Sequence, residues 1–222
     1  MKTVKIIPSL GVGIYTMADV ARYARMHYNT VQSWFRSRGV MDSDYEEVDD
    51  AFTVSFHDLL DTLIAHQFRK RKVQMKTVRR AYNILSDELG TPHPFCHRDL
   101  YADSRRIIIK VGGLIGSQDF QDAISKQYLF TELKEQLHNV SYAVMTKLAE
   151  KLELSEGVEL NPRIAMGQPV LVGTGVTTHV VNSAFIANGY DREFVASLFG
   201  ISGHQVSYAV KFEGEIRRKS AA

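Results

Sequence analysis

Apolar positions along the chain recur mostly at helical spacing, beginning in residues 15–39, YTMADVARYARMHYNTVQSWFRSRG. Val20, Ala21, Tyr23 and Ala24 give an apolar side to a short helix that Thr16 can cap, with Asp19 answering from the first turn as in a capping box. Met26 fills the following turn, and Asn29 or Thr30 is placed to cap a second helix. In that helix Val31, Trp34 and Phe35 bury one face at the i, i+3, i+4 spacing, which leaves Thr30, Gln32, Ser33, Arg36 and Ser37 on the other. This is a helix-turn-helix pattern with its polar face outward. It departs from the usual form at Arg25, where the left-handed turn position favours glycine.

The strongest helical stripe follows in residues 55–71, where Phe56, Leu59, Leu60, Leu63, Ile64 and Phe68 share a face, Ser55 can cap and Asp58 lies in the first turn. Its basic end, Arg69 to Lys72, suits the negative end of the helix dipole. Residues 76–89 predict the next helix, with Val78, Ala81, Tyr82, Leu85 and Leu89 inward, a stop at Gly90, and Pro92 and Pro94 barring continuation. Lys76, Arg79 and Arg80 stay outside, either as a solvated basic face or as a phosphate-contacting shoulder. Other stretches break the pattern. Gly11 and Gly13 read as a turn, residues 41–50 as a solvated acidic linker, and the β-branched run 105–111 as a strand running into turns at Gly112, Gly113 and Gly116. Leu133, Leu137, Val140, Val144, Leu148 and Leu152 predict one long amphipathic helix or two abutting ones over 130–152. That seam and the one in 55–71 suit pairing with a second copy, so a homodimer is expected.

After residue 155, prolines and glycines mark short strands and turns, and three helices are expected near 178–187, 192–199 and 203–212, with Asp191 and Ser202 as caps. Here Ala196, Gly200, Ile201, Ser202 and Val206 repeat the spacing of Ala21, Arg25, Met26, His27 and Val31. The whole reads as a mainly α fold with minor β (α+β), divided into an N-terminal helix-turn-helix domain with its acidic linker (1–50), a helical middle domain (51–155) and a C-terminal domain of short strands plus a helix-turn-helix-like unit (156–222).

Composition narrows function only slightly. With 27 Lys+Arg against 25 Asp+Glu, the net charge of +2 permits nucleic-acid binding without pointing to it, so any DNA-binding charge is local. One cysteine, Cys96, excludes an internal disulfide framework and fits a reducing cytoplasm. No apolar run reaches the length of a membrane span. His93, Cys96 and His97 lack a fourth ligand at zinc spacing, so neither metal nor cofactor is expected. The motifs of a metalloprotease, a serine hydrolase, a nucleotide-binding loop and a dithiol redox site are all missing, and no enzymatic activity is expected. The candidate DNA-binding residues are His27, Tyr28, Asn29, Thr30, Gln32, Ser33, Arg36 and Arg38, whose amide, hydroxyl and guanidinium groups pair with base edges and phosphates. His204, Gln205, Ser207, Tyr208 and Lys211 form a second candidate surface, for DNA or for a partner. Glu213 and Glu215 close behind favour a protein partner there, because carboxylates oppose phosphate contacts.

The segment NPRIAMGQPVLVGTGVTTHVVNSAFIANGYDREFVASLFGISGHQVSYAV resembles the DUF433 family, whose members carry a similar Pro–Gly–Gly-Thr core followed by a three-helix unit, although Thr177 departs from the proline common after that Gly-Thr. YTMADVARYARMHYNTVQSWF resembles the MerR-like motif that precedes this domain in longer members, and VSFHDLLDTLIAHQFRKRKVQMKTVRRAYNIL with TPHPF resembles their middle segment. Such proteins are similar to antitoxins of VapBC-type toxin-antitoxin modules. The resemblance implies a DNA-binding antitoxin that neutralises a PIN-like ribonuclease toxin and represses its own operon. The residues alone support only the DNA-binding half, and a stand-alone regulator with a C-terminal assembly or ligand-sensing module is the other reading.

Overall fold

The computed structural model describes residues 11–37, 41–45, 47, 52–102, 104–118, 120–121 and 139–220. They are mainly helical, with two small antiparallel sheets, and they divide into two compact units. One comprises Tyr15–Glu150; the other comprises Lys151 onward together with the short segment before Tyr15.

In the first unit, strands β1 (Tyr15–Thr16) and β2 (Thr53–Val54) pair antiparallel, Tyr15 opposite Val54, and each leads into a capped helix. Thr16 and Asp19 form a reciprocal capping box at the start of α1 (Met17–Ala24), and Ser55 and Asp58 do the same for α3 (Phe56–Lys70). Between them lie α2 (Tyr28–Gln32) and a π-helical turn, Ser33–Ser37. The apolar stripe of α3 is fully committed: Phe56, Leu59, Leu60, Ile64 and Phe68 are all buried. Phe68 stacks on Phe95 and Phe120 at centroid distances of 5.6 and 5.7 Å, while Tyr82 of α4 (Met75–Leu89) meets Phe95 edge-on at 5.2 Å. Gly90 closes α4 in the left-handed conformation expected of it. A 3-10 turn (Pro94–Cys96), α5 (Arg98–Ala102), α6 (Ser104–Ile115) and β3 (Val140–Tyr142) follow.

Three expectations fail in this unit. Residues 105–111 form helix α6 and not a strand, because Ile108, Val111, Gly112 and Ile115 are the buried positions, a helical period that overrides the β-branched composition. Arg80 donates to the carbonyls of Leu114 and Ile115 at the C-terminal end of that helix, so this member of the expected basic shoulder serves as a helix cap. The helix expected over 130–152 fails within the described residues, which form β3, a turn in which Val144 is 85% exposed, and the start of β4 (Ala149–Ser155); residues 130–138 lie outside the description. The seam of α3 is therefore spent inside the unit, and the described part of the other, from residue 139 on, is not helical. Lastly, the acidic stretch after residue 40 is no solvated linker where described: Met41, Ser43 and Tyr45 are buried, and Met41 N–H donates to Trp34 O at 3.1 Å.

In the second unit, β4, β5 (Val158–Leu160) and β6 (Pro169–Leu171) pair antiparallel, with Leu152 opposite Leu160 and Val158 opposite Leu171. Three helices lie where the sequence predicts them: α7 (Thr178–Ala187), α8 (Arg192–Phe199) and α9 (Gly203–Ser220), the last one longer than expected. Val158, Leu171, Val181, Val195, Val206, Ala209 and Phe212 make the core, and the buried Thr178 hydroxyl donates to Glu213 at 2.6 Å, tying α7 to α9.

Candidate nucleic-acid interface

The two turns that repeat one another in sequence also repeat in geometry. Arg25 (φ 54°, ψ 45°) and Gly200 (φ 63°, ψ 35°) both take the left-handed conformation, and the next amides, Met26 and Ile201, donate to Ala21 O and Ala196 O at 2.9 and 3.0 Å. Both are helix-closing turns that redirect the chain into a second helix. Arginine adopts at the first turn what glycine provides at the second.

In the N-terminal motif Val31, Trp34 and Phe35 are buried, as their spacing predicts. His27, and not Asn29 or Thr30, caps α2, its Nδ1 accepting from the Asn29 amide at 3.3 Å. Tyr28, Asn29 and Thr30 are exposed, while Gln32 and Ser33 are half-buried. Arg36 is exposed and engaged: it pairs with Glu47 and lies 5.2 Å from the centre of the Phe52 ring. Arg38 lies outside the described residues. The π turn begins at Ser33, so the helix widens where the polar face expected to read DNA continues into Arg36.

The second candidate surface is more committed to its own unit. Gln205 forms a capping box with Ser202, accepting from the Ser202 amide at 2.9 Å while its own amide donates to Ser202 Oγ at 3.2 Å. Ser207 donates to Gly203 O. The Tyr208 hydroxyl donates to Glu156 at 3.0 Å, and its ring lies so close over Gly157 that a Cβ there would stand 2.3 Å from it. His204 and Lys211 stay exposed. α7, α8 and the turn between them show a different character, with Ile186, Tyr190, Phe194 and Leu198 exposed by 44–66%.

A third feature joins residues that the sequence patterns kept apart, His93 and Cys96 of the Pro-rich loop with the Ser55–Asp58 cap and Asp44. His93 sits between two carboxylates, its Nδ1 2.8 Å from Asp61 and its Nε2 3.0 Å from Asp44. Asp44 also accepts from Ser55 Oγ at 2.6 Å, and Asp58 Oδ2 accepts the amides of Asp44 and Ser55. The Tyr82 hydroxyl reaches Asp61 and Pro92 O, and Cys96 Sγ lies 3.3 Å from His57 O. Burial opposes the charged form of His93, but its hydrogen bonds to Asp44 and Asp61 prevail and hold it well above the ordinary histidine range. Burial, then the charge of Asp44, pushes Asp58 up to about 7. Burial and then Asp61 keep the Cys96 thiol protonated, the opposite of what a nucleophile needs. Asp44, Asp58 and His93 line a cavity of about 320 Å³ together with Met41, Arg79 and Asn83. Spacing did not reveal this cluster because Asp44 stands 14 residues from Asp58 and 49 from His93, in a run that looks solvated.

No family model matches the chain. It is similar to a Mycobacterium tuberculosis protein named "Putative antitoxin VapB45", with 24% identity over 225 residues that span 90% of this chain and 93% of the relative. It also shares its fold with the crystal structure of Rv2018 from the same organism, at a TM-score of 0.76 and 24% identity, covering 90% of this chain and 99% of that one. Among the described residues no helix is long and apolar enough to cross a membrane. Nearly the whole length of the chain is thus similar to an antitoxin-named protein.

Proposed function

We propose that this protein is a DNA-binding antitoxin that represses its own operon through the N-terminal helix-turn-helix and neutralises a PIN-like ribonuclease toxin. The antitoxin half is supported by likeness to the antitoxin-named relative over nine tenths of the chain. The DNA-binding half rests on one observation: the second helix buries Val31, Trp34 and Phe35 and leaves Tyr28, Asn29 and Thr30 in solvent. Polar groups on such a face pair with base edges, and each good base contact is worth about 1–3 kcal/mol. Arg36 exchanges Glu47 for a phosphate at little cost, because an exposed ion pair contributes about 0–1 kcal/mol. One recognition helix reads few base pairs, so two copies on a near-palindromic operator supply the rest of the specificity.

The C-terminal unit takes the protein partner. Its exposed apolar residues Ile186, Tyr190, Phe194 and Leu198 suit a protein surface, and Gln205, Ser207 and Tyr208 are engaged within the unit and poorly disposed to read bases. The test is co-expression with the neighbouring open reading frame. A stable complex with a PIN-type ribonuclease, whose RNA cleavage stops on binding, is expected. A folded protein that binds its own promoter but ignores every neighbouring product would instead be a stand-alone transcription regulator.

A further inference from the structure

The buried cluster of the first unit has an imbalance that its own hydrogen bonds do not remove. Three carboxylates, Asp44, Asp58 and Asp61, gather around His93, whose ring lies 5.1 Å from that of His57, and Asp58, Asp61 and His93 are only 3%, 1% and 6% exposed. Buried charge is stable only when paired or bound to a metal. Asp61 holds His93 Nδ1 at 2.8 Å and so fixes which way the ring presents Nε2, the arrangement in which a carboxylate orients a metal-binding histidine. Nε2 faces Asp44 at 3.0 Å. Asp58 accepts the amides of Asp44 and Ser55 with Oδ2, and its buried side chain lines the cavity.

We propose that Asp44, Asp58 and His93 form a binding site for one divalent transition-metal ion, Mn²⁺ or Zn²⁺. One ligand atom from each residue lies within 4.8 Å of the other two. Ligands on one ion with bonds of about 2.1 Å stand roughly 3–4 Å apart, so closure takes only small side-chain movements. One imidazole nitrogen with two carboxylate oxygens suits Mn²⁺ or Zn²⁺ better than Ca²⁺ or Mg²⁺, which prefer oxygen alone. Replacing the Nε2 proton by the ion adds one positive charge to a site crowded with carboxylates. The cavity of about 320 Å³ supplies entry and room for water in the remaining positions. The ion would join Asp44, in the segment that follows the recognition helix, to the first turn of α3 and to the loop carrying His93. Metal binding would thereby brace the helix-turn-helix from behind, since Met41 of the same segment is hydrogen-bonded to Trp34.

The full-length protein, stripped with EDTA and dialysed, is titrated with MnCl₂ and with ZnCl₂ by calorimetry, and its melting is followed with and without each ion. One ion per chain and a rise in melting temperature are expected, with Asp44→Asn weakening binding at least tenfold and His66→Gln leaving it unchanged. Should Asp44→Asn fail to fold, Mn²⁺ added to the wild type locates the ion by broadening the ring-proton signals of His93 before those of the exposed His27 and His204. Failure of the wild-type protein to bind either ion stoichiometrically overturns the proposal. So does unchanged affinity in a folded Asp44→Asn variant, or broadening that begins at another histidine.

Discussion

His66, half-buried on α3, has its pKa lowered to about 4, first by burial and then by Lys70. A histidine whose folded value lies below its unfolded value of 6.5 is held neutral by the fold, so the unfolded chain binds more protons between these two values. Its share of stability is therefore complete above pH 6.5 and is lost as pH falls towards 4. Denaturation midpoints of His66→Gln should decline less than wild type across that window; parallel declines would mean that His66 contributes nothing to acid sensitivity. Arg25 and Gly200 offer a matched pair, being two left-handed turn positions of which only one carries glycine. Arg25→Gly should stabilise by about 0.5–1 kcal/mol, and Gly200→Ala, with open space around it but the wrong backbone, should destabilise by about 1 kcal/mol. Urea denaturation reads both, and the same sign for the two would contradict the strain assigned to Arg25. The oddity of Arg25 was legible from sequence, since the motif names the position that wants glycine. The partners of Asp44 were not, because nothing local announces a contact with His93 at a separation of 49 residues.

Among the elements, helices with caps and a stripe were read well. Ser55 with Asp58, Asp191, Ser202 and the glycines at 90 and 200 fixed the ends of α3, α4, α8 and α9 because capping chemistry is local. Composition misled where packing decided. The three consecutive isoleucines of α6 look like a strand, yet only Ile108 among them is buried and the partners Val111 and Ile115 follow at helical spacing. Val140 and Val144 fit a heptad by spacing alone, but one lies in a strand and the other projects from a turn. The β4–β5 turn depends on Gly157 (φ 73°) beneath the Tyr208 ring of α9. Gly157→Ala should cost about 1–3 kcal/mol through overpacking and backbone strain, and a variant melting like wild type would show that the ring moves aside freely.

At the scale of the molecule, the chain places a helix-turn-helix in one unit and a second turn of the same geometry in the other, and the two differ in what they leave free. The N-terminal turn leads to a helix with exposed polar side chains; the C-terminal one leads to a helix whose polar side chains are largely occupied, beside an exposed apolar surface. The proposed function accordingly assigns DNA reading to the first unit and protein contact to the second. The resemblance to antitoxins visible in the sequence agrees with the antitoxin-named relative, and the preference for a protein partner at the C-terminal surface was already legible in Glu213 and Glu215, whereas the hydrogen bonds that occupy Gln205, Ser207 and Tyr208 appear only in the folded structure. Fluorescence anisotropy with labelled DNA from upstream of the protein's own operon tests that division directly, using the wild type, the double variant Asn29→Ala/Gln32→Ala, and the double variant Gln205→Ala/Lys211→Ala. The account predicts salt-sensitive binding by the wild type, a loss of at least tenfold for the N-terminal pair with the fold intact, and near-wild-type affinity for the C-terminal pair. Equal losses for both pairs, or full affinity in the N-terminal pair, would contradict it.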